Sequence, residues 1–188
     1  MIYERLDDVS GQARALCRLA YLLHGEGKLS AAEEVALQVI DRFSGKGEQF
    51  SVCECYRVLG NICCSRRQIE AATDYTKAAL EIASSFNWHI QLVWIHHTLA
   101  NLSFDKGGFD DAHTHIEYAK SYAANDTYST GRMVEQQARF WYRQKKFEEA
   151  RSAALHAADV FERLGATRGA ERCRTLLRKI ELATKGRV

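Results

Sequence analysis

Apolar and small residues along this chain follow a helical period, interrupted by short turns so that one pattern returns about every forty residues. The stretch from Trp94 to Ala119 carries it most completely. Leu99 and Ala100 sit on one amphipathic run, Gly107-Gly108 makes a break, and Phe109, Ala112 and Ala119 lie on the next. The corresponding upstream residues are Leu59, Gly60, Ile69, Ala72 and Ala79, and before them Leu19, Ala20, Leu29, Ala32 and Val39. Downstream stand Gln137, Ala138, Phe147, Ala150 and Ala157. Three positions are small or slim in every copy, and one large apolar residue follows each turn. Small residues let antiparallel helices approach closely, while the large one fills the gap beside the turn. Each copy is therefore a helical hairpin with a short connection.

The pattern predicts helix pairs over 11–26 and 29–44, 48–66 and 69–86, 89–107 and 109–124, and 128–145 and 147–164. A last helix over 167–184 caps the array. Ser30-Ala31-Ala32-Glu33 has the form of a capping box for the second helix of the first pair. Tyr3-Glu4-Arg5-Leu6, then Gly11 and Arg14, matches Phe161-Glu162-Arg163-Leu164, then Gly169 and Arg172. Residues 1–6 are accordingly expected to be the tail of a truncated repeat, within one domain over 1–188.

Leu59-Gly60-Asn61, Gly107-Gly108-Phe109-Asp110-Asp111-Ala112 and Lys146-Phe147-Glu148-Glu149-Ala150 resemble the first-helix and turn motifs of the tetratricopeptide repeat (TPR) family. The resemblance covers about residues 11–184. It is similar to the long-period variants found in sensor arms of signalling ATPases and in scaffold proteins, and no proline closes any repeat here. The resemblance implies an all-α fold, a right-handed α-solenoid of stacked hairpins forming a TPR-like superhelix. It also implies a non-enzymatic protein-protein interaction module that binds a peptide or protein segment in a concave groove lined by first helices. A regulatory or sensor arm of a larger multidomain ATPase is the alternative.

Composition narrows the classes. With 46% hydrophobic residues in 188 the chain can bury a continuous core. No apolar run approaches the roughly 20 residues that span a bilayer, so no membrane partner is expected. A formal net charge of +2 gives no general argument for nucleic acid, although the basic last helix keeps a nucleic-acid-binding solenoid as a lesser alternative. The six cysteines lie inside helical runs rather than at regular loop spacings, which fits a reducing, cytoplasmic compartment.

Counting along the repeats places Arg14, Cys17, Tyr21 and His24 on the groove face of the first hairpin. Glu54, Arg57, Asn61 and Cys64 follow on the second, and Trp94, His97, Asn101 and Phe104 on the third. Arg132, Glu135, Arg139, Tyr142 and Arg143 come from the fourth, with Arg172 and Lys179 from the last helix. From these the expected partner-binding set is Arg14, Tyr21, Arg57, Asn61, Trp94, His97, Asn101, Phe104, Arg132, Arg139, Tyr142 and Arg143. Arginine forks bind carboxylates bidentately and aromatic rings add contact area at low entropic cost, so an acidic or carboxylate-bearing segment is the expected ligand. In the family the resemblance points to, an asparagine at the place of Asn61 and Asn101 often holds a peptide backbone.

Other chemistry fails on geometry or spacing. Cys53, Cys55, Cys63 and Cys64 lie on one helix, where i, i+1 and i+2 point apart, so they read as buried structural thiols rather than metal ligands. His96-His97 and His113/His115 fail the same geometric test, with His96 expected between helices. No phosphate-binding glycine loop or serine elbow is present, and no cofactor is expected. A homodimer through exposed repeat ends around Leu16, Leu19 and Leu23 is a further expectation.

Overall fold

The computed structural model describes residues 8–123 and 127–185. The truncated repeat expected over 1–6 lies outside them. Nine helices and no strand occur among the described residues. They are α1 (Val9–Gly25), α2 (Leu29–Phe43), α3 (Gln49–Ser65), α4 (Ile69–Ser85), α5 (His89–Asp105), α6 (Phe109–Tyr122), α7 (Thr127–Arg143), α8 (Phe147–Arg163) and α9 (Thr167–Lys185). The chain forms two compact units, Met1–Gly108 with α1–α5 and Phe109–Val188 with α6–α9.

One turn ends six of these helices. After α1, the Gly27 N–H donates to His24 O and the Lys28 N–H to Leu23 O. The same pair of bonds recurs around Arg67, Asn87, Gly107, Lys145 and Gly165, each with positive φ. This is the Schellman arrangement, in which a left-handed residue turns the chain and satisfies the helix's last carbonyls. Glycine enters that conformation freely, whereas a side chain raises its energy by about 1–2 kcal/mol. Arg67 (φ 59°) and Lys145 (φ 61°) carry that strain. Glycine loosens the unfolded chain by about 0.4–1 kcal/mol, so Arg67→Gly is expected to stabilise the fold by only about 0.5 kcal/mol. A lowered midpoint in urea denaturation would contradict this.

The helix that follows such a turn starts without a side-chain cap at Lys28, Gln68 and Lys146, so the expected capping box at Ser30/Glu33 does not form. Helix α2 begins at Leu29, where the spacing predicts it, with Lys28 at the cap position, which puts Ser30 inside the first turn. Glu33 instead accepts a 2.7 Å hydrogen bond from Arg66 at the end of α3. Lys106 repeats that reach at the end of α5, donating to Thr73 of α4 at 3.2 Å.

The slim positions are the core of each hairpin. Ala20, Ala32, Val39, Ala72, Ala79, Ala100, Ala112, Ala119, Ala138, Ala150 and Ala157 are all fully buried. At Gly60, an added Cβ would stand 2.7 Å from Thr76 Oγ1 and 3.6 Å from the Ala72 carbonyl. Helices α3 and α4 approach that closely because the position has no side chain. In the first unit Leu16 is buried and Leu23 packs against the core, so of the three leucines expected at an exposed end only Leu19 stays open, beside Leu22. His96 is buried, as its place between helices required.

In the second unit Phe161 of α8 is the central large side chain and is fully buried. Its ring lies against two glycines. A Cβ on Gly169 of α9 would come within 2.6 Å of Phe161 Cγ and Cδ1, and one on Gly131 of α7 within 3.1 Å of its Cε1. Tyr128 meets the ring edge-on at 5.6 Å.

Candidate partner-binding site

Three of the expected residues converge in the first unit. Tyr21 of α1, Arg57 of α3 and Trp94 of α5 line one pocket of about 310 Å³, together with Cys17, Arg18, Phe50, Glu54, Ile90 and Gln91. The helices present them because α1, α3 and α5 are the first helices of successive repeats, packed side by side. Its rim is apolar and open to water: Tyr21 is 52% exposed, Phe50 48% and Ile90 60%. Its floor is polar and internally matched. Arg57 donates to Glu54 through Nε at 2.9 Å and Nη2 at 3.1 Å, with the arginine side chain only 13% exposed. Sequence counting missed Phe50 and Ile90, which lie one helical turn before Glu54 and Trp94.

The remaining expected residues of this unit divide. Arg14 is exposed, and Asn61 is half-buried with an amide that makes no hydrogen bond among the described residues. His97 faces Trp94 edge-on at 6.2 Å, and its Nδ1 lies 3.5 Å from the Asn101 amide nitrogen. Phe104 is a correction. It is only 6% exposed, so its ring is covered by the protein itself and offers a partner almost no surface. Half-burial depresses the His24 pKa, and the Arg57 charge adds to it, so this imidazole is neutral at pH 7.

In the second unit the expected arginines have an acidic neighbour of their own. Glu135 of α7 is not a groove surface residue, since its side chain is only 2% exposed. Its carboxylate accepts from Arg132 at 2.9 Å, from Arg139 at 3.0 Å and from Arg172 of α9 through both Nε and Nη2. Burial alone would raise the Glu135 pKa; the Arg172 hydrogen bonds and the three guanidinium charges outweigh it and hold the carboxyl below its ordinary value. Arg139 and Arg172 also line a shallow pocket with Arg168, Glu171 and Thr175. Tyr142 is half-buried with its ring 5.9 Å from Phe147, and Arg143 is exposed.

The cysteines are free thiols, buried except for the half-buried Cys64. Burial pushes the Cys53 thiol up to about 12 and those of Cys64 and Cys173 to about 11, so none of these three is a nucleophile at neutral pH. Cys17, at the pocket floor, is lowered by a hydrogen bond with Cys55. No cluster of three or more metal-ligating side chains and no helix long and apolar enough to cross a membrane occurs among the described residues.

No family model and no curated protein matches the sequence. Solved structures do match the fold. BtubC (BKLC) from P. vanneervenii is 16% identical with a TM-score of 0.69, over 98% of this chain and 85% of that one. The apo form of RapI is 12% identical with a TM-score of 0.77, over 93% of this chain and 65% of RapI. The TPR-like repeats of a kinesin light chain from Podosopora anserina are 16% identical with a TM-score of 0.64, over 94% of this chain and 98% of theirs. The hairpins, their small-residue cores and these likenesses together give the chain the all-α, TPR-type fold of helical-repeat solenoids.

Proposed function

We propose that the chain is a protein-binding module and that the pocket among α1, α3 and α5 takes an anchor side chain from a partner's peptide segment. The observation that carries this is the exposed apolar rim of Tyr21, Phe50 and Ile90, with Trp94, set around a buried and already paired Arg57–Glu54 floor. Exposed large apolar residues gathered at one concavity mark interaction sites, and aromatic anchors in desolvated pockets supply most of the affinity of an interface. Because Arg57 spends its fork on Glu54, the floor of this pocket has no unmet demand for an acid; the one cation of the lining without an ion pair among the described residues, Arg18, is exposed at its edge. An uncharged apolar or aromatic side chain is the fitting occupant, and the free Asn61 amide can both donate to and accept from the segment's backbone.

The test is peptide display on the intact chain using segments from disordered protein regions. Selected peptides should share an apolar or aromatic anchor. Trp94→Ala and Tyr21→Ala should each weaken the binding of a selected peptide by about 10–100-fold, while Arg178→Ala on α9 leaves it unchanged. Peptides whose affinity survives both pocket variants would reject this assignment.

A further inference from the structure

In the first unit the buried Arg57 is already matched by Glu54, whereas the second unit presents an imbalance. Three guanidiniums, those of Arg132, Arg139 and Arg172, close on the single carboxylate of Glu135. One negative charge cannot neutralise three positive ones, so the network keeps a surplus of positive charge beside water. Arg139 and Arg172 carry that surplus into a shallow pocket of about 410 Å³. A further guanidinium, Arg168 at the start of α9, lines the same pocket; it is exposed and makes no ion pair among the described residues. The pocket's carboxylate, Glu171, lies 3.4 Å from Arg174 and 3.9 Å from Arg178, cations outside the pocket lining.

We infer that the pocket of Arg139, Arg168 and Arg172 binds the phosphoryl group of a phosphorylated side chain in a partner's protein segment. Arg139 and Arg172 each have N–H groups beyond those given to Glu135, and Arg168 has its whole fork, so the pocket offers donors on several sides of one anion. A phosphate monoester brings about two negative charges and three acceptor oxygens, which meets this surplus better than one carboxylate with two oxygens. Glu135 fixes the cluster in advance: its buried carboxylate holds Arg139 and Arg172 before any ligand arrives, so less side-chain entropy is lost on binding. The lining contains no aromatic ring on which a base would stack, and Glu171 at the edge repels an extended polyanion, so a nucleic acid backbone fits poorly.

This inference rests on the reading of the chain as a module for protein segments. Its pocket lies within the second unit, however, so a loss at Arg168 and a loss at Trp94 are separate results. The experiment titrates the intact chain with an acetylated, amidated pentapeptide of alanines around one phosphoserine, followed by arginine Nε–Hε NMR signals. Serine and aspartate versions, inorganic phosphate and a short oligothymidine serve as comparison ligands. The phosphopeptide is expected to shift the Arg139, Arg168 and Arg172 signals saturably, at least tenfold more tightly than the serine or aspartate peptide. Arg168→Glu should weaken it by at least tenfold with an unchanged melting temperature, because Arg168 has no role in packing. Equal affinities for the phosphoserine and serine peptides, or an unaffected Arg168→Glu variant, would overturn the inference. So would tighter binding of free phosphate or oligothymidine than of the phosphopeptide.

Discussion

Glu135→Ala is expected to lower the unfolding free energy by about 3 kcal/mol at pH 7, the lower end of the range for removing one partner of a buried ion pair. The loss is large because the carboxylate is 2% exposed and holds three guanidiniums across α7 and α9. It stays at the lower end because Arg132, Arg139 and Arg172 keep 21%, 50% and 34% of their side chains in water, which continues to solvate them. Glu181→Ala, at an exposed position of α9, is the control and should change stability by less than about 0.5 kcal/mol. The reporter is Trp141 fluorescence in a Trp88→Phe/Trp94→Phe background, which follows the second unit in urea.

The pH dependence has a definite sign. The folded Glu135 pKa lies below its ordinary value of 4.5, so the unfolded chain binds this proton more readily than the folded one. The carboxylate's contribution is therefore complete above pH 4.5 and shrinks as pH falls through the folded pKa. The gap between the parent and Glu135→Ala should be constant from pH 6 to 8 and narrow below pH 4.5. A gap that widened on acidification would mean that the buried group is protonated in the fold.

The repeat spacing alone makes the fold legible. A small residue at a fixed place in each copy has one physical reason, close helix approach, and those positions are the fully buried ones. Helix ends are legible for a similar reason. The connections at Gly27, Gly45/Gly47, Gly107 and Gly165 turn on glycine, and where Arg67 or Lys145 replaces it the spacing still marks the turn. Much of the candidate site is less legible. Counting identifies the column Arg14, Glu54, Trp94, Arg132 and Arg172, but not the column one turn earlier, which contains Phe50, Ile90, Tyr128 and Arg168. Those residues sit in the first turn of each first helix, where an apolar side chain reads as a helix start rather than as a rim. The role of Glu135 is hidden too. A single glutamate among arginines on a helix looks like a solvated face, and its burial depends on Arg172 arriving from a helix nearly forty residues away.

Gly169→Ala should lower the unfolding free energy by about 2 kcal/mol, and Gly169→Val by more. The new Cβ would sit 2.6 Å from Phe161 Cγ and Cδ1, a separation at which one of the two must move. These are atoms near the root of the ring, so a small rotation about χ2 cannot clear them. Nor can the ring retreat, because Gly131 and Val160 crowd the far end of the site and Tyr128 meets its edge. Relief therefore requires α9 to shift away from α8, which also draws Arg172 from Glu135. Alanine's better helix propensity returns up to about 1 kcal/mol, and less in a first turn, so it does not reverse the sign. Gly25→Ala is the matched control, since nothing lies within 4 Å of its added Cβ, and it should be neutral or slightly stabilising. Because Gly169 acts on the Glu135 cluster only through the position of α9, the double variant Gly169→Ala/Glu135→Ala should lose less than the sum of its parts. Strict additivity would show that Phe161 packing and the buried carboxylate hold α9 independently.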